Sequence, residues 1–308
     1  MSDPCPVGLR GIVTSLNTPF DARNRIDAAG LRAEVGHVHA AGCVGMLVAA
    51  VAGEAASLEE DEVRAVVATV VGHAAGRLPA IVSVTHDDQA VRVARAAFAR
   101  EVGAAGILCQ PPAGIDADQR RALLTEVAAA GPELFMLQDL DWAGSGLPLD
   151  EIVALFEGIP TFTCLKLETV PAGPKYSAVL DATGGRLHVS GGWAVMQMLE
   201  ALARGVHAFM PTELEALRVA IARRYVAGDV AGARALFDAH LPIAAFSNQH
   251  IAVSIRFHKQ LRRARGLFAT DACRPPVPAF DAVQQAEADR LIALALRLEE
   301  EIEVGEGT

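Results

Sequence analysis

The chain has 308 residues, of which 52% are hydrophobic and 21% charged, so it supplies a large apolar core and is unlike a disordered chain. Its formal net charge of -10 disfavours a nucleic-acid partner, because nucleic acids are bound chiefly through Lys and Arg. The five cysteines form no C-x-x-C pair, and the N-terminal residues form no apolar leader. These features favour a soluble cytoplasmic protein without a disulfide framework, zinc site or membrane segment.

Apolar runs and helical segments alternate along the first 210 residues. Short apolar runs predict eight strands: Gly11–Leu16, Gly45–Val51, Ala80–Val84, Gly106–Gln110, Leu134–Gln138, Phe162–Glu168, Leu187–Ser190 and Ala208–Met210. Segments of helical period predict the intervening helices: Asp27–Ala41, Leu58–Ala75, Asp88–Glu101, Ala117–Ala130, Pro148–Phe156, Pro174–Ala182 and Trp193–Ala203. This alternation and the strand number predict an α/β fold, a (β/α)8 TIM barrel. A doubly wound Rossmann sheet is the alternative, and the lack of a G-x-G-x-x-G motif after the first strand disfavours it.

After residue 210 the sequence predicts helices alone: Glu213–Ala227, Val230–Ala245, His250–Arg265 and Ala282–Glu303. We therefore expect a barrel over residues 1–225 and a C-terminal helical extension over 226–308. The extension carries the one basic cluster of the chain, which we interpret as a solvated helix face: Lys259, Arg262, Arg263 and Arg265.

The sixth predicted strand, Phe162–Glu168, carries the most informative residues. Because side chains alternate along a strand, Cys164, Lys166 and Glu168 share one face. Both faces of a parallel barrel sheet are covered, so this polar face should point into the barrel at its C-terminal end, where barrel enzymes place their sites. Burial disfavours the charged form of an amine, and an uncharged amine can attack a ketone. The alternative is a strand with one wet face, on which the lysine and the glutamate form a surface pair.

Two further groups follow predicted strands. Backbone amides in the small-residue turn at Ala49–Glu54 can bind a carboxylate, although a purely structural turn followed by a capping box of Ser57 and Glu60 is the alternative. Gln138 and Asp139 end the fifth strand, where polar residues meet substrate in barrel enzymes; Asp139 can equally cap the next turn. No histidine pair, Walker sequence or H-E-x-x-H motif indicates a metal or a cofactor.

Several stretches together resemble the dihydrodipicolinate synthase / N-acetylneuraminate lyase family of class I aldolases. They are Leu9–Phe20, Gly53-Glu54, Gln138-Asp139, Lys166 and Ser190–Gly192. The resemblance implies a barrel with a C-terminal helical extension, a homo-oligomer (tetramer or dimer), no cofactor, and an imine between Lys166 and a 2-keto acid. It also implies substrate contacts at Gly191 and Gly192.

The sequence departs from the usual pattern of that family at its turn and its tyrosines. The family's Gly-Thr-Thr-Gly-Glu turn reads Ala50-Val-Ala-Gly-Glu54 here, which leaves backbone amides of Val51, Ala52 and Gly53 for the keto-acid carboxylate. Gln138 replaces the catalytic tyrosine, and the tyrosine donated by a neighbouring subunit is missing from Gln110–Ala113.

These departures resemble a subgroup that includes 2-keto-3-deoxy-pentonate dehydratases, with Lys166-Leu-Glu168 followed by a Pro-rich segment. The resemblance implies dehydration of a 2-keto-3-deoxy sugar acid, with Lys166 as nucleophile, Glu168 as base and Gln138 as a third catalytic residue. One alternative is a retro-aldolase that uses the same imine and releases pyruvate. A catalytically silent homologue that only binds a keto acid is the other.

Overall fold

Eight parallel strands close into a barrel in the structure, a computed structural model that describes residues 4–192, 196–212 and 214–306. The strands are β1 (Gly11–Ser15), β2 (Gly45–Val48), β3 (Ala80–Ser83), β4 (Gly106–Cys109), β5 (Leu134–Asp141), β6 (Phe162–Thr169), β7 (His188–Gly191) and β8 (Ala208–Phe209). Each strand pairs in parallel with the next, and β8 pairs with β1. The predicted (β/α)8 fold is therefore confirmed.

Helices alternate with the strands and then continue past the barrel. The barrel helices are α1 (Ala28–Ala40), α2 (Glu60–Ala74), α3 (Gln89–Glu101), α4 (Ala117–Ala130), α5 (Leu149–Gly158), α6 (Ala172–Ala182), α7 (Met198–Ala203) and α8 (Glu215–Val226). The later helices are α9 (Val230–Ser247), α10 (Ile251–Ala264) and α11 (Ala282–Glu306). Residues 193–195 and Glu213, which began two predicted helices, lie outside the described residues. The predicted division at 225/226 falls at the end of α8 and stays a prediction.

Strand alternation separates two apolar layers. Inward residues such as Leu47, Leu108 and Cys164 form one cluster inside the barrel. Leu165 and Leu167 belong to the larger cluster between the strands and the helices. Because apolar layers cover both faces of β6, its inward polar residues are held away from bulk water near the end of the strand.

Some predicted details of the elements were wrong for a local reason. Strand β2 ends at Val48 rather than at residue 51, because Ala49 has a left-handed φ of 52° that an extended strand cannot contain. The capping box of α2 is formed by Glu59 and Glu62 instead of Ser57 and Glu60. Helix α6 starts at Ala172 rather than at Pro174, since a proline in the first turn of a helix loses no hydrogen bond.

The basic cluster of the extension is not a solvated face. Lys259 and Arg262 are fully buried and Arg265 is nearly so, whereas Arg263 is exposed. The buried cations pair with buried or half-buried carboxylates: Glu34, Glu54, Glu215 and Glu299. The positive charge of these residues suggested that they are exposed to solvent. Helix α10 instead packs between the barrel mouth and the later helices, so its buried cations need carboxylates as partners.

One buried carboxylate of this cluster titrates near neutral pH. Arg262 lies between Glu34 and Glu215, with its Nε 3.1 Å from Glu34 Oε1, and the backbone N–H of Asn17 also donates to Glu34. Burial raises the pKa of Glu34 from 4.5 to about 7, whereas the positive charge of Arg262 helps to hold the pKa of Glu215 well below its ordinary value. Two carboxylates thus share one guanidinium, and Glu34 is the one that takes up a proton.

Glu34→Gln is expected to make folding stability less dependent on pH. The folded pKa lies above the unfolded value, so the stability contributed by protonated Glu34 is complete below pH 4.5 and is lost as the pH rises through 7. The full loss is up to about 3 kcal/mol. In urea unfolding at pH 5, 6, 7 and 8, the free energy of unfolding of the variant should rise relative to that of the wild-type protein as the pH rises. If the free energies of unfolding of the two proteins changed with pH in the same way, the raised pKa of Glu34 would be contradicted.

Within the described ranges, no helix is both long enough and apolar enough to cross a membrane.

Candidate active site

A cavity of about 50 Å³ lies where the barrel strands end, under the helices of the extension. Barrel residues line its floor and one wall: Ser15, Ala50, Val51, Ala52, Gln138, Leu140, Lys166, Glu168, Gly192 and Met210. Residues of α8 and of the α9–α10 region line the opposite side: Arg218, Ser247, Asn248, Ile251, Ser254 and His258. The C-terminal ends of barrel strands are where enzymes of this architecture carry out their chemistry.

Lys166 occupies the position expected from strand alternation. It is buried in β6 and lines the cavity, with its Nζ 3.2 Å from Glu168 Oε2. The chain has three lysines, and the other two bind elsewhere: Lys175 Nζ lies 2.5 Å from Asp139 Oδ2, and Lys259 is bound to Glu54. Lys166 and Glu168 point into the barrel, as predicted. The alternative, in which this face of the strand is exposed to solvent, is wrong.

Gln138 connects the strands on either side of this pair. It stands opposite Lys166 in the register of β5 and β6, and its Nε2 donates a hydrogen bond to Glu168 Oε2. Its Oε1 accepts from Gln110 Nε2 at 3.3 Å, and the backbone N–H of Gln110 donates to Thr85 Oγ1 at 3.0 Å. This chain of amides holds the Glu168 carboxylate beside the amine, and it includes Gln110, for which the sequence suggested no role.

The short turn after β2 lines the same cavity as Lys166. Ala50, Val51 and Ala52 line the cavity, and residues Val51–Gly53 form one turn of 3-10 helix. The first N–H groups of a helical turn have no acceptor inside that turn, so the amides of Val51 and Ala52 are suited to an anionic group. Gly53 does not line the cavity; its carbonyl accepts a hydrogen bond from Thr18 Oγ1.

Asp139 lies on the opposite face of β5 from the cavity. Its carboxylate accepts from the backbone N–H of Leu147 at 3.0 Å and pairs with Lys175. This is the capping role considered from the sequence, in which the aspartate fixes the loop after β5. The structure therefore does not bring Asp139 together with Lys166, because residues 138 and 139 point to opposite faces of one strand.

Of the two predicted glycines, Gly192 lines the cavity and Gly191 does not. A Cβ added at Gly192 would overlap the Glu168 carboxylate and Lys166 Cε. Gly191 belongs to β7, where its carbonyl accepts a hydrogen bond from Met210 N at 2.8 Å. Gly192 thus leaves the space in which the two polar side chains meet.

Gly192→Ala is expected to slow by about 100-fold the imine formation that the family resemblance implies for Lys166, because displacement of reacting groups by about 1 Å costs that much. The variant should still fold, since its backbone is not in the left-handed region. Gly36→Ala on α1 is the matched control, because an added Cβ there meets nothing within 4 Å. The rate of borohydride trapping with pyruvate measures the effect, and an undiminished rate in Gly192→Ala would rule out the predicted displacement.

The sequence did not identify the cavity residues supplied by α8 and α10. Ser254 Oγ lies 3.2 Å from His258 Nδ1, and Arg218 Nη1 lies 3.4 Å from His240 Nε2. These residues follow Lys166 by more than 50 positions. Amphipathic periodicity identifies the buried face of a helix but does not identify which buried residues reach a barrel mouth. In the ranges the structure describes, no group of three His, Cys, Asp or Glu side chains is arranged to hold a metal ion.

The arrangement of strand lysine, carboxylate and turn is accompanied by a family match over nearly the whole chain. The sequence profile of the dihydrodipicolinate synthetase family matches residues 8–295. The chain belongs to this family. It is accordingly an enzyme, a lyase of the class I aldolase type, and the family predicted from the sequence is confirmed.

The chain is also similar to named relatives in sequence and to a solved structure in fold. The chain is 26% identical to L-2-keto-3-deoxyarabonate dehydratase of Azospirillum brasilense over 94% of each chain. It is 30% identical to 4-hydroxy-tetrahydrodipicolinate synthase of Sorangium cellulosum, over 94% of this chain and 98% of the relative. The sialic acid aldolase of Ruminococcus gnavus shares the fold with a TM-score of 0.87, at 17% identity over 96% of this chain and 99% of that one.

Proposed function

We propose that the enzyme dehydrates a 2-keto-3-deoxy sugar acid through an imine on Lys166. The observation that carries the proposal is the cavity itself, in which one lysine amine lies 3.2 Å from a carboxylate while the other two lysines bind elsewhere. The dehydratase relative from Azospirillum brasilense, which the chain matches over 94% of its length, supports this substrate class.

The first step is condensation at Lys166. The nitrogen lone pair of Lys166 attacks the C2 carbonyl, and the resulting carbinolamine takes up one proton and loses water to give an iminium ion that draws electrons from C3. The substrate carboxylate would be held by the backbone N–H groups of Val51 and Ala52 in the turn after β2. The covalent bond at C2 and the hydrogen bonds to the C1 carboxylate would together hold this end of the substrate.

The second step is removal of a C3 proton by Glu168. The carboxylate lies beside the amine that carries the iminium, and Gln138 donates a hydrogen bond that fixes its orientation. The electrons of the broken C–H bond form an enamine. They then expel the C4 hydroxyl, which leaves as water with the proton that Glu168 has taken up. Hydrolysis of the conjugated iminium releases the product and restores the amine.

Product analysis tests the reaction type. Incubation with a 2-keto-3-deoxy-pentonate, followed by NMR, should show loss of the C4 hydroxyl and formation of the unsaturated keto acid or, after a proton shift from C5 to C3, of its 2,5-dioxo tautomer. Release of pyruvate would instead indicate retro-aldol cleavage between C3 and C4 from the same imine. Absence of both products, together with binding of the acid, would indicate a silent keto-acid-binding protein.

A further inference from the structure

The turn that lines the cavity with Lys166 is buried at Ala50 and Ala52 and exposed at Val51. It separates the active-site cavity from a second, open cavity of about 620 Å³, and Ala50, Val51 and Ile251 line both. A segment that lines a cavity on two sides makes fewer dispersion contacts than a segment packed on every side. Directed hydrogen bonds at its ends therefore contribute to its position.

Two of these bonds come from the barrel. Asn17 Nδ2 donates to the carbonyl of Ala52 at 2.9 Å, and Thr18 Oγ1 donates to the carbonyl of Gly53 at 2.6 Å. Both donors follow β1 directly. They hold the turn through its carbonyl groups, so neither bond uses an amide of Val51 or Ala52.

The outer end of the turn is held by the extension. Glu54 leaves the turn in the left-handed conformation, with φ 56°, and its side chain is buried. Lys259 of α10 donates to Glu54 Oε1, and the backbone N–H of Arg274 donates to Glu54 Oε2 at 2.8 Å. A non-glycine residue in this conformation is uncommon and requires support from its surroundings.

Lys259 is itself tightly held. Its side chain is fully buried, its Nζ donates to the carbonyl of Ala272 at 2.7 Å, and the same atom lies 4.1 Å from the centre of the Phe20 ring. The ion pair joins residues 205 positions apart in the sequence. A buried pair of this kind has a defined geometry, because neither charge can move to water without losing its partner.

We propose that Glu54 and Lys259 are positioning residues through which the C-terminal extension holds the carboxylate-binding turn at the correct distance from Lys166. This inference rests on the proposed function in one respect, that the turn binds the keto-acid carboxylate. Breaking the pair should weaken capture of the keto acid while leaving the later chemistry at Lys166 intact. A purely structural pair would instead lower stability without a specific effect on binding.

Glu54→Gln tests this, with Glu299→Gln as the matched control. Glu299 pairs with Arg265, which joins α10 to α11 within the same extension. With pyruvate as the probe, the half-saturating concentration for borohydride trapping should rise about tenfold in Glu54→Gln, the loss typical of one charge-assisted hydrogen bond. The trapping rate at saturation should stay within about threefold of the wild-type rate. Glu299→Gln should keep the wild-type half-saturating concentration.

Hydrogen–deuterium exchange provides a readout that needs no activity. Amides of residues 49–58 should exchange faster in Glu54→Gln than in the wild-type protein or in Glu299→Gln. Unchanged exchange and unchanged half-saturation in folded Glu54→Gln would overturn the proposal. If that variant does not fold, the uncharged pair Glu54→Gln/Lys259→Gln is measured by the same two readouts. If wild-type protein traps no pyruvate, the proposed function fails, whereas the exchange experiment still decides the positioning role.

Discussion

Replacing Lys166 with alanine is expected to abolish turnover, with a loss of at least about 10⁴-fold, because no other lysine lines the cavity in the part of the chain that the structure describes. The other two lysines are engaged by Asp139 and Glu54 outside the cavity. Borohydride trapping with pyruvate should disappear together with turnover. Both are measured on the same purified variant.

Lys175→Gln is the control for this experiment. Lys175 lies on α6 and pairs with Asp139 on the outer face of β5, and a glutamine can still donate hydrogen bonds to that carboxylate. This variant should keep both turnover and trapping. Residual trapping in Lys166→Ala at the wild-type rate would mean that the imine forms on another amine.

Glu168→Gln is expected to separate imine formation from proton transfer. The variant keeps Lys166 and should trap pyruvate, but exchange of the C3 protons with solvent deuterium should slow by about 10²- to 10⁴-fold, the usual contribution of a general base. Proton NMR of pyruvate in D₂O measures this exchange directly. Glu299→Gln, the same substitution in a remote ion pair, should exchange at the wild-type rate. Rapid exchange in Glu168→Gln would show that another group is the base.

The barrel and its lysine could be predicted because local rules determine them. Alternation of apolar runs and helical segments indicates parallel strands, and the period of two along β6 places Lys166 and Glu168 on one face. The same rule separates Gln138, predicted to be catalytic, from Asp139, predicted to bind substrate. Asp139 was predicted to bind substrate because it lies at the end of a strand. It follows the inward-pointing Gln138, however, so alternation along β5 directs its side chain to the outer face.

The remaining features depend on contacts between distant parts of the chain. The basic residues of α10 looked like a wet helix face, yet Lys259 and Arg262 are fully buried against carboxylates more than 40 positions away. The cavity wall formed by Ser254 and His258 depends on how α10 lies across the barrel mouth. Sequence spacing determines which residues share a helix face but not what that face meets.

The central claim is that Lys166 forms an imine with a 2-keto acid, and its most direct test is borohydride reduction of the wild-type enzyme in the presence of pyruvate. The chain has three lysines, so peptide mass mapping can assign the adduct to a residue. The account predicts one stable adduct, on the peptide that contains Lys166. An adduct only on Lys175 or Lys259, or no adduct at saturating pyruvate, would contradict it.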